Sequence, residues 1–193
     1  MNEPNPNRLP IPQLFWSEYL EGPFENCIDC GCPLPEADHY LIQRSFVGTE
    51  PVFEFAICKR CHEALGGQCS EETSQAVTSF MMSALSDRML ELQQDVTAEE
   101  ILEKSVNECI VCSKSRSECH RYGLAGISMG SELVVEMSLF ARSPLMICHD
   151  CELQMSELVS KKTRDTWDRF VEENFDGPPG VGLDLPHGAP MLI

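Results

Sequence analysis

Four pairs of cysteines at Cys-x-x-Cys spacing constrain this chain more than any other feature of its sequence. The chain has 193 residues and 11 cysteines. Two such pairs separated by a hairpin-length stretch are typical of a tetrahedral metal site, and here the arrangement occurs twice. We therefore predict two metal sites with four thiolate ligands each. The predicted ligands are Cys27, Cys30, Cys58 and Cys61 in the first site and Cys109, Cys112, Cys148 and Cys151 in the second.

Zinc is the metal that we expect, so the chain would hold two Zn²⁺ ions. Four thiolates fill every position of a tetrahedral ion and leave none for water, which predicts structural rather than catalytic sites. An iron–sulfur or redox protein is the alternative, because iron–sulfur clusters also take four cysteine ligands. Three cysteines, Cys32, Cys69 and Cys119, have no assigned role, although Cys32 follows Cys30 closely enough to compete as a ligand.

The sequence also repeats itself with an offset of 82 residues. Matching positions include Cys27 and Cys109, Cys30 and Cys112, Tyr40 and Tyr122, and Gly48 and Gly130. The offset then grows by eight residues before the last cysteine pair, around Ala141–Pro144. We interpret this pattern as tandem duplication of one metal-binding unit. We further expect Cys58→Ser to unfold the first unit and to leave the second largely formed.

Each copy is predicted to contain a cysteine knuckle, a β-hairpin and a helix. The resulting fold class is α+β, with two duplicated small zinc-finger units and packed helices. Apolar stretches around a glycine turn indicate the hairpins, over 40–47 and 52–57 and again over 122–129 and 133–141. Apolar periodicity predicts helices over 71–93, 98–107 and 150–175, and Thr97 with Glu100 forms a capping box.

Composition divides the chain into four segments. Residues 1–24 are proline-rich at their start and are predicted to be extended. Residues 25–96 hold the first cysteine unit and a helix, and residues 97–175 hold the second unit and a long helix. Residues 176–193 are rich in proline and glycine and are predicted to form a flexible tail.

The order of knuckle, hairpin and cysteine pair at a helix start resembles the treble-clef class of zinc fingers. The resemblance covers about residues 25–65 and 107–160. It implies structural zinc but no particular function, because treble clefs serve many roles.

A second resemblance involves Asp38, His39 and His62. Their arrangement around the first cysteine unit is similar to that of HNH nucleases built on a treble clef. That resemblance implies His39 as general base and His62 as a ligand of a catalytic metal. The sequence departs from the nuclease pattern, because no proline follows His39 and the second copy has Arg121 in its place.

Charge and the chain start indicate the functional class. The formal net charge is -17, which disfavours a nucleic-acid ligand and favours a basic protein partner. No apolar run approaches the roughly 18 residues of a membrane span, and the start of the chain has no secretory-signal pattern. We therefore predict a non-enzymatic, cytoplasmic interaction or regulatory module with an acidic surface. The sequence leaves its oligomeric state open.

Overall fold

The computed structural model describes residues 5–89, 96–137 and 142–175, and it has the predicted α+β fold. The strands in these ranges are β1 (Arg8–Pro10), β2 (Tyr40–Val47), β3 (Glu50–Cys58), β4 (Arg121–Met129), β5 (Glu132–Val134), β6 (Glu136–Met137), β7 (Arg142–Ser143) and β8 (Leu145–Cys148). The helices are α1 (Lys59–Gly66), α2 (Glu71–Met89), α3 (Ala98–Asn107), α4 (His149–Glu157) and α5 (Lys161–Asn174). The predicted tail over 176–193, and residues 90–93 of a predicted helix, lie outside the described residues.

The two cysteine units share one antiparallel sheet. Its strand order is β1-β5-β4-β2-β3, and β8 also pairs with β4. Strands β2 and β4, one from each unit, pair continuously from Tyr40 opposite Ser128 to Val47 opposite Arg121. Buried residues of both units belong to one hydrophobic core. The expectation that one unit can unfold alone therefore has no support in the packing.

The pairing of β2 with β4 has the symmetry of a local two-fold axis. Gln43 pairs with Ala125, the residue that matches it at the 82-residue offset. The hairpins have the same register as well, because Tyr40 pairs with Cys58 and Tyr122 pairs with Cys148. Matching residues thus occupy matching places on either side of the axis.

The N-terminal segment contributes to both the sheet and the core. Strand β1 pairs with β5, and Phe15, which follows in a 3₁₀ turn, is completely buried. The ring of Phe15 packs against Gly126, where a Cβ atom would lie 3.0 Å from the ring and 2.8 Å from Leu133. The glycine therefore makes room for the aromatic side chain.

The return strand of the second hairpin differs from the prediction. The continuous strand expected over 133–141 is wrong, because β5 ends at Val134 and β6 covers only Glu136–Met137. The chain rejoins β4 through β8 at Leu145. By the sequence offsets, the eight extra residues of this copy lie between Glu136 and Leu145, and residues 138–141 among them lie outside the described residues.

The long helix predicted over 150–175 is also wrong in its continuity. Helix α4 ends at Glu157, and α5 begins at Lys161. Ser160 caps α5, because its side chain accepts a hydrogen bond from the N–H of Thr163. The helix predicted over 98–107 is confirmed as α3, with its capping box of Thr97 and Glu100.

Helices α2 and α5 meet at their N-termini through four hydroxyl side chains. The N–H of Ser70 donates to Thr163 Oγ1 and the N–H of Ser160 donates to Thr73 Oγ1, each at 2.9 Å. The two serine Oγ atoms are 2.7 Å apart, and the two threonine Oγ1 atoms are 3.1 Å apart. Each helix therefore caps the other across the local two-fold axis.

Aromatic side chains hold α5 against the sheet. Phe55 of β3 lies 6.1 Å from Trp167 and 5.7 Å from Phe170, measured between ring centroids. Phe175, just after α5, lies 4.5 Å from Phe53. Such ring pairs add to the free energy gained by burying their apolar area.

Candidate metal centres

The first cluster forms where the knuckle meets the start of α1. The N–H of Cys27 donates to the carbonyl of Cys32 at 2.9 Å, and the N–H of Gly31 donates to that of Cys27 at 2.8 Å. Gly31 has φ of 69°, a left-handed conformation that glycine adopts without steric cost. This tight turn brings Cys27 and Cys30 together. Cys58 ends β3 as the N-cap of α1, and Cys61 lies in the first turn of that helix.

The second cluster has the same construction. The N–H of Cys109 donates to the carbonyl of Lys114, and the N–H of Ser113 donates to that of Cys109, both at 2.9 Å. Cys148 is the N-cap of α4, and Cys151 lies in its first turn. Equivalent backbone geometry therefore positions all eight cysteines.

The sulfur positions fit a tetrahedral ion. Within each group of four, the Sγ atoms all lie within 4.8 Å of one another. The sulfurs of Cys30 and Cys58 are 3.8 Å apart, and those of Cys112 and Cys148 are 3.6 Å apart. Four sulfurs at a zinc–sulfur bond length of about 2.3 Å would be separated by about 3.8 Å. Each cluster could therefore hold one metal ion with little rearrangement.

Backbone N–H groups point at the innermost sulfur of each cluster. The N–H of Cys58 donates to Cys27 Sγ, and the N–H of Cys148 donates to Cys109 Sγ, both at 3.3 Å. Hydrogen bonds of this kind favour the thiolate form, as does the positive end of the helix that follows. They suit sulfur atoms that act as metal ligands.

Burial works against these thiolates when no cation is present. It raises the pKa of Cys27 and Cys61 above the ordinary value, and it raises the pKa of Cys148 to about 12. The exposed Cys30 differs, because a hydrogen bond from the backbone of Cys32 lowers its pKa to about 6. A divalent cation would supply the positive charge that several adjacent thiolates require.

The two clusters differ in their neighbours. Beside the first, the Arg60 guanidinium lies near the sulfurs of Cys30 and Cys61, and its interaction with them raises its pKa above the ordinary value. The thiol of Cys32 lies near the sulfurs of Cys30 and Cys58, and its interaction with Cys30, together with burial, raises its pKa to about 12. Beside the second cluster, Lys114 replaces Cys32 at the matching position and pairs with Asp150 at 3.1 Å. The sequence interpretation missed Arg60, although its place inside the Cys58–Cys61 pair was a signal.

The nuclease residues Asp38, His39 and His62 do not belong to a group of three or more metal-ligating side chains within residues 5–89, 96–137 and 142–175. Among the described residues, only the two four-cysteine groups bring three or more metal-ligating side chains together. Asp38 is exposed and His39 is half-buried. His62 has a buried Nε2 atom without a hydrogen-bond partner in the described part of the chain, and burial lowers the pKa of this side chain.

The other two unassigned cysteines make local contacts. Cys69 Sγ donates to the carbonyl of Leu65 at 3.7 Å, and Cys119 Sγ donates to that of Ser115 at 3.3 Å. Neither belongs to a four-sulfur group.

Comparison with protein-family models, with curated proteins and with solved structures finds no match for this chain. In the described ranges, no helix combines the length and apolar character that crossing a membrane requires.

Proposed function

We propose that this protein is a non-enzymatic zinc protein whose two treble-clef-like sites hold the fold together. The main support for this proposal is the presence of two matching four-cysteine groups, each with three buried cysteines and sulfur separations that suit a tetrahedral ion. A closed set of four thiolates leaves no position for substrate, which supports a structural role for the metal. Reduced thiols are required for this binding, and a reducing compartment such as the cytoplasm would maintain them.

Metal analysis tests this proposal directly. Protein purified without added metal and under reducing conditions should contain two equivalents of zinc per chain by elemental mass spectrometry. It should also be colourless, whereas iron–sulfur protein absorbs visible light. Iron and sulfide in place of zinc would establish the alternative, and fewer than one metal ion per chain would refute both.

Tandem duplication accounts for the shared geometry of the two units. The knuckle bonds, hairpin registers and helix caps all match at offsets of 82 and then 90 residues. The Ser70-x-x-Thr73 and Ser160-x-x-Thr163 caps extend this match beyond the cysteines. Such agreement across knuckle, hairpin and helix supports a common origin for the two halves.

The partner that we propose is a basic protein. The net charge of -17 would attract a basic surface and accelerate its association at low salt. One region is an exception, because Lys161, Lys162 and Arg169 line a groove beside Gln68 at the start of α5. We therefore place the binding face away from α5.

The edge of β3 is the strongest candidate for this face. Tyr19 and Leu20 are 91% and 43% exposed, and Val52 on β3 is 52% exposed. Glu18, the residue before Tyr19, donates its backbone N–H to the carboxylate of Glu54 on β3 at 2.9 Å. This bond fixes the loop that contains Tyr19 beside β3. Exposed apolar side chains among acidic ones are typical of protein-binding surfaces.

Capture experiments at several salt concentrations test the interaction. The full chain should retain basic proteins from its native host, with recovery falling as salt rises. Tyr19→Ser should reduce this recovery, whereas Leu153→Ser, at a side chain that is 50% exposed elsewhere on the surface, should not. Equal recovery by both variants would refute the assignment of the face.

A plasmid-nicking assay addresses the nuclease alternative. We expect no metal-dependent nicking by the wild-type protein. Nicking that disappears in His39→Ala would overturn the non-enzymatic proposal.

A further inference from the structure

The first cluster contains one thiol more than a metal ion needs. Cys32 is two residues from the ligand Cys30 and closes the knuckle by accepting the N–H of Cys27 at its carbonyl, yet its sulfur is not one of the four mutually close sulfurs. The second cluster has Lys114 at the matching position. The two sites are otherwise equivalent, so we expect them to differ in any oxidation reaction that joins a ligand cysteine to a thiol at this position.

The geometry of the knuckle suits a bond between Cys30 and Cys32. Their Cα atoms are two residues apart and lie within about 7 Å in any conformation, close to the range that disulfides span. Gly31 between them adopts a left-handed turn, and the knuckle is closed by the bond from Cys27 N–H to the Cys32 carbonyl.

The solvent exposure of the cysteines also favours a disulfide between Cys30 and Cys32. Cys30 is exposed and Cys32 is half-exposed, whereas Cys27, Cys58 and Cys61 are buried. An oxidant in solution therefore reaches Cys30 before the other ligands, and the nearest accessible thiol is that of Cys32.

We propose that Cys30 and Cys32 form an oxidative modification site at which a peroxide makes a disulfide and weakens the first metal centre. This inference rests on the proposed function only in its second part, since the disulfide itself requires no metal. The second centre has Lys114 at the position of Cys32, and its non-ligand thiol, Cys119, is buried, so this centre keeps its ion under the same conditions.

The reaction balances with hydrogen peroxide as oxidant. The Cys30 thiolate attacks one peroxide oxygen, forming a sulfenic acid and releasing hydroxide. The Cys32 thiol then attacks the sulfenic sulfur, forming the disulfide and releasing water. Two electrons pass from the two sulfurs to the peroxide. The ion is left with Cys27, Cys58 and Cys61, and a competing chelator can remove it.

At the second centre the same oxidant meets a different arrangement. Cys112 is the exposed ligand there, and Lys114 offers no thiol. The thiols that remain are buried, namely the non-ligand Cys119 and other ligands such as Cys148, whose sulfur is 3.6 Å away, and a disulfide with such a ligand takes two sulfurs from the ion. Two ligands must then leave the ion in one event, so loss of this ion is slower.

The test uses the full chain, loaded with zinc and reduced under anaerobic conditions. Graded hydrogen peroxide is added, metal release is followed with a chromophoric chelator, and disulfides are mapped by mass spectrometry. The wild type should release one equivalent at least about tenfold faster than the second, because the resolving thiol is already in place. The disulfide that appears in that phase should join Cys30 to Cys32, and a dithiol reductant should restore binding.

Variants supply the controls. Cys32→Ser should bind two ions but lose the fast phase, whereas Cys69→Ser, at another non-ligand cysteine, should behave as the wild type. A first disulfide between Cys30 and Cys58 would overturn the proposal, and so would a fast phase that persists in Cys32→Ser. A Cys32→Ser protein that binds one ion would also overturn it, because Cys32 would then be a ligand.

The result of this oxidation test can be distinguished from a failure of the zinc-binding proposal. Untreated protein without bound metal would refute zinc binding, yet mapping would still show whether peroxide joins Cys30 to Cys32.

Discussion

Removing the Thr163 hydroxyl should destabilise the protein by about 1–3 kcal/mol, the cost of leaving the half-buried N–H of Ser70 and the buried hydroxyl of Thr73 without this partner. Thr163 is 6% exposed, and its Oγ1 accepts the hydrogen bond from the N–H of Ser70 at 2.9 Å. Valine has nearly the same shape and similar helix propensity, so Thr163→Val removes the hydroxyl and little else. Thr73→Val should have a similar effect, because it removes the acceptor for the N–H of Ser160.

The double variant Thr73→Val/Thr163→Val gives a more specific test, because its loss of stability can be compared with the sum of the two single losses. The Thr73 and Thr163 Oγ1 atoms are 3.1 Å apart, so each single variant also loses their mutual hydrogen bond. The summed single costs count that bond twice. We therefore expect the double variant to lose at least about 0.5 kcal/mol less than the sum.

Urea denaturation followed by tryptophan fluorescence is a suitable assay, because Trp167 lies one turn along the same helix as Thr163. Free zinc must be held constant, since bound metal adds to the measured free energy of unfolding. Thr78→Val is the matched control, because Thr78 is exposed on α2, and it should change the stability by less than about 0.5 kcal/mol. A Thr163→Val protein as stable as this control, or strictly additive costs, would refute the reasoning.

Other perturbations probe the core and the clusters. Cys58→Ser should unfold both halves, because a structural zinc site contributes about 10–16 kcal/mol and whole domains are stable by only about 5–15 kcal/mol. Circular dichroism and the amount of bound metal measure this effect. A protein that keeps one ion and a folded second half would contradict the prediction. An excess of chelator should have the same effect, reversible by Zn²⁺ and not by Mg²⁺. Phe15→Ala should cost about 3–5 kcal/mol in urea denaturation, because the side chain is fully buried, and a cost under about 1 kcal/mol would show that the N-terminal segment contributes little.

The cysteine clusters were predictable because their information is local. A Cys-x-x-Cys pair fixes two ligands within one turn of chain, and a hairpin brings two pairs together whatever the rest of the fold does. The start of α3 was predictable for the same reason, since Thr97 and Glu100 satisfy each other's backbone N–H groups.

The pairing of the two units was not predictable from such patterns. Nothing in the sequence of β2 specifies β4 as its neighbour, because strand partners are chosen by packing over long distances. The break before Lys161 was missed because the apolar spacing continues across it, although Ser160 and Thr163 repeat Ser70 and Thr73. The role of Phe15 was hidden by the prolines around it, which indicate an extended chain and say nothing of what it covers.

Strands β2 and β4 pair across a local two-fold axis, so the two halves of the chain meet in the way that the two subunits of a symmetric dimer meet. Helix α2 begins with Glu71 and Glu72, whereas α5 begins with Lys161 and Lys162. The N-termini of these two helices therefore carry opposite charges. If the two halves were expressed as separate polypeptides, electrostatics would therefore favour binding of each half to the other over self-association. Self-association would place glutamates against glutamates or lysines against lysines.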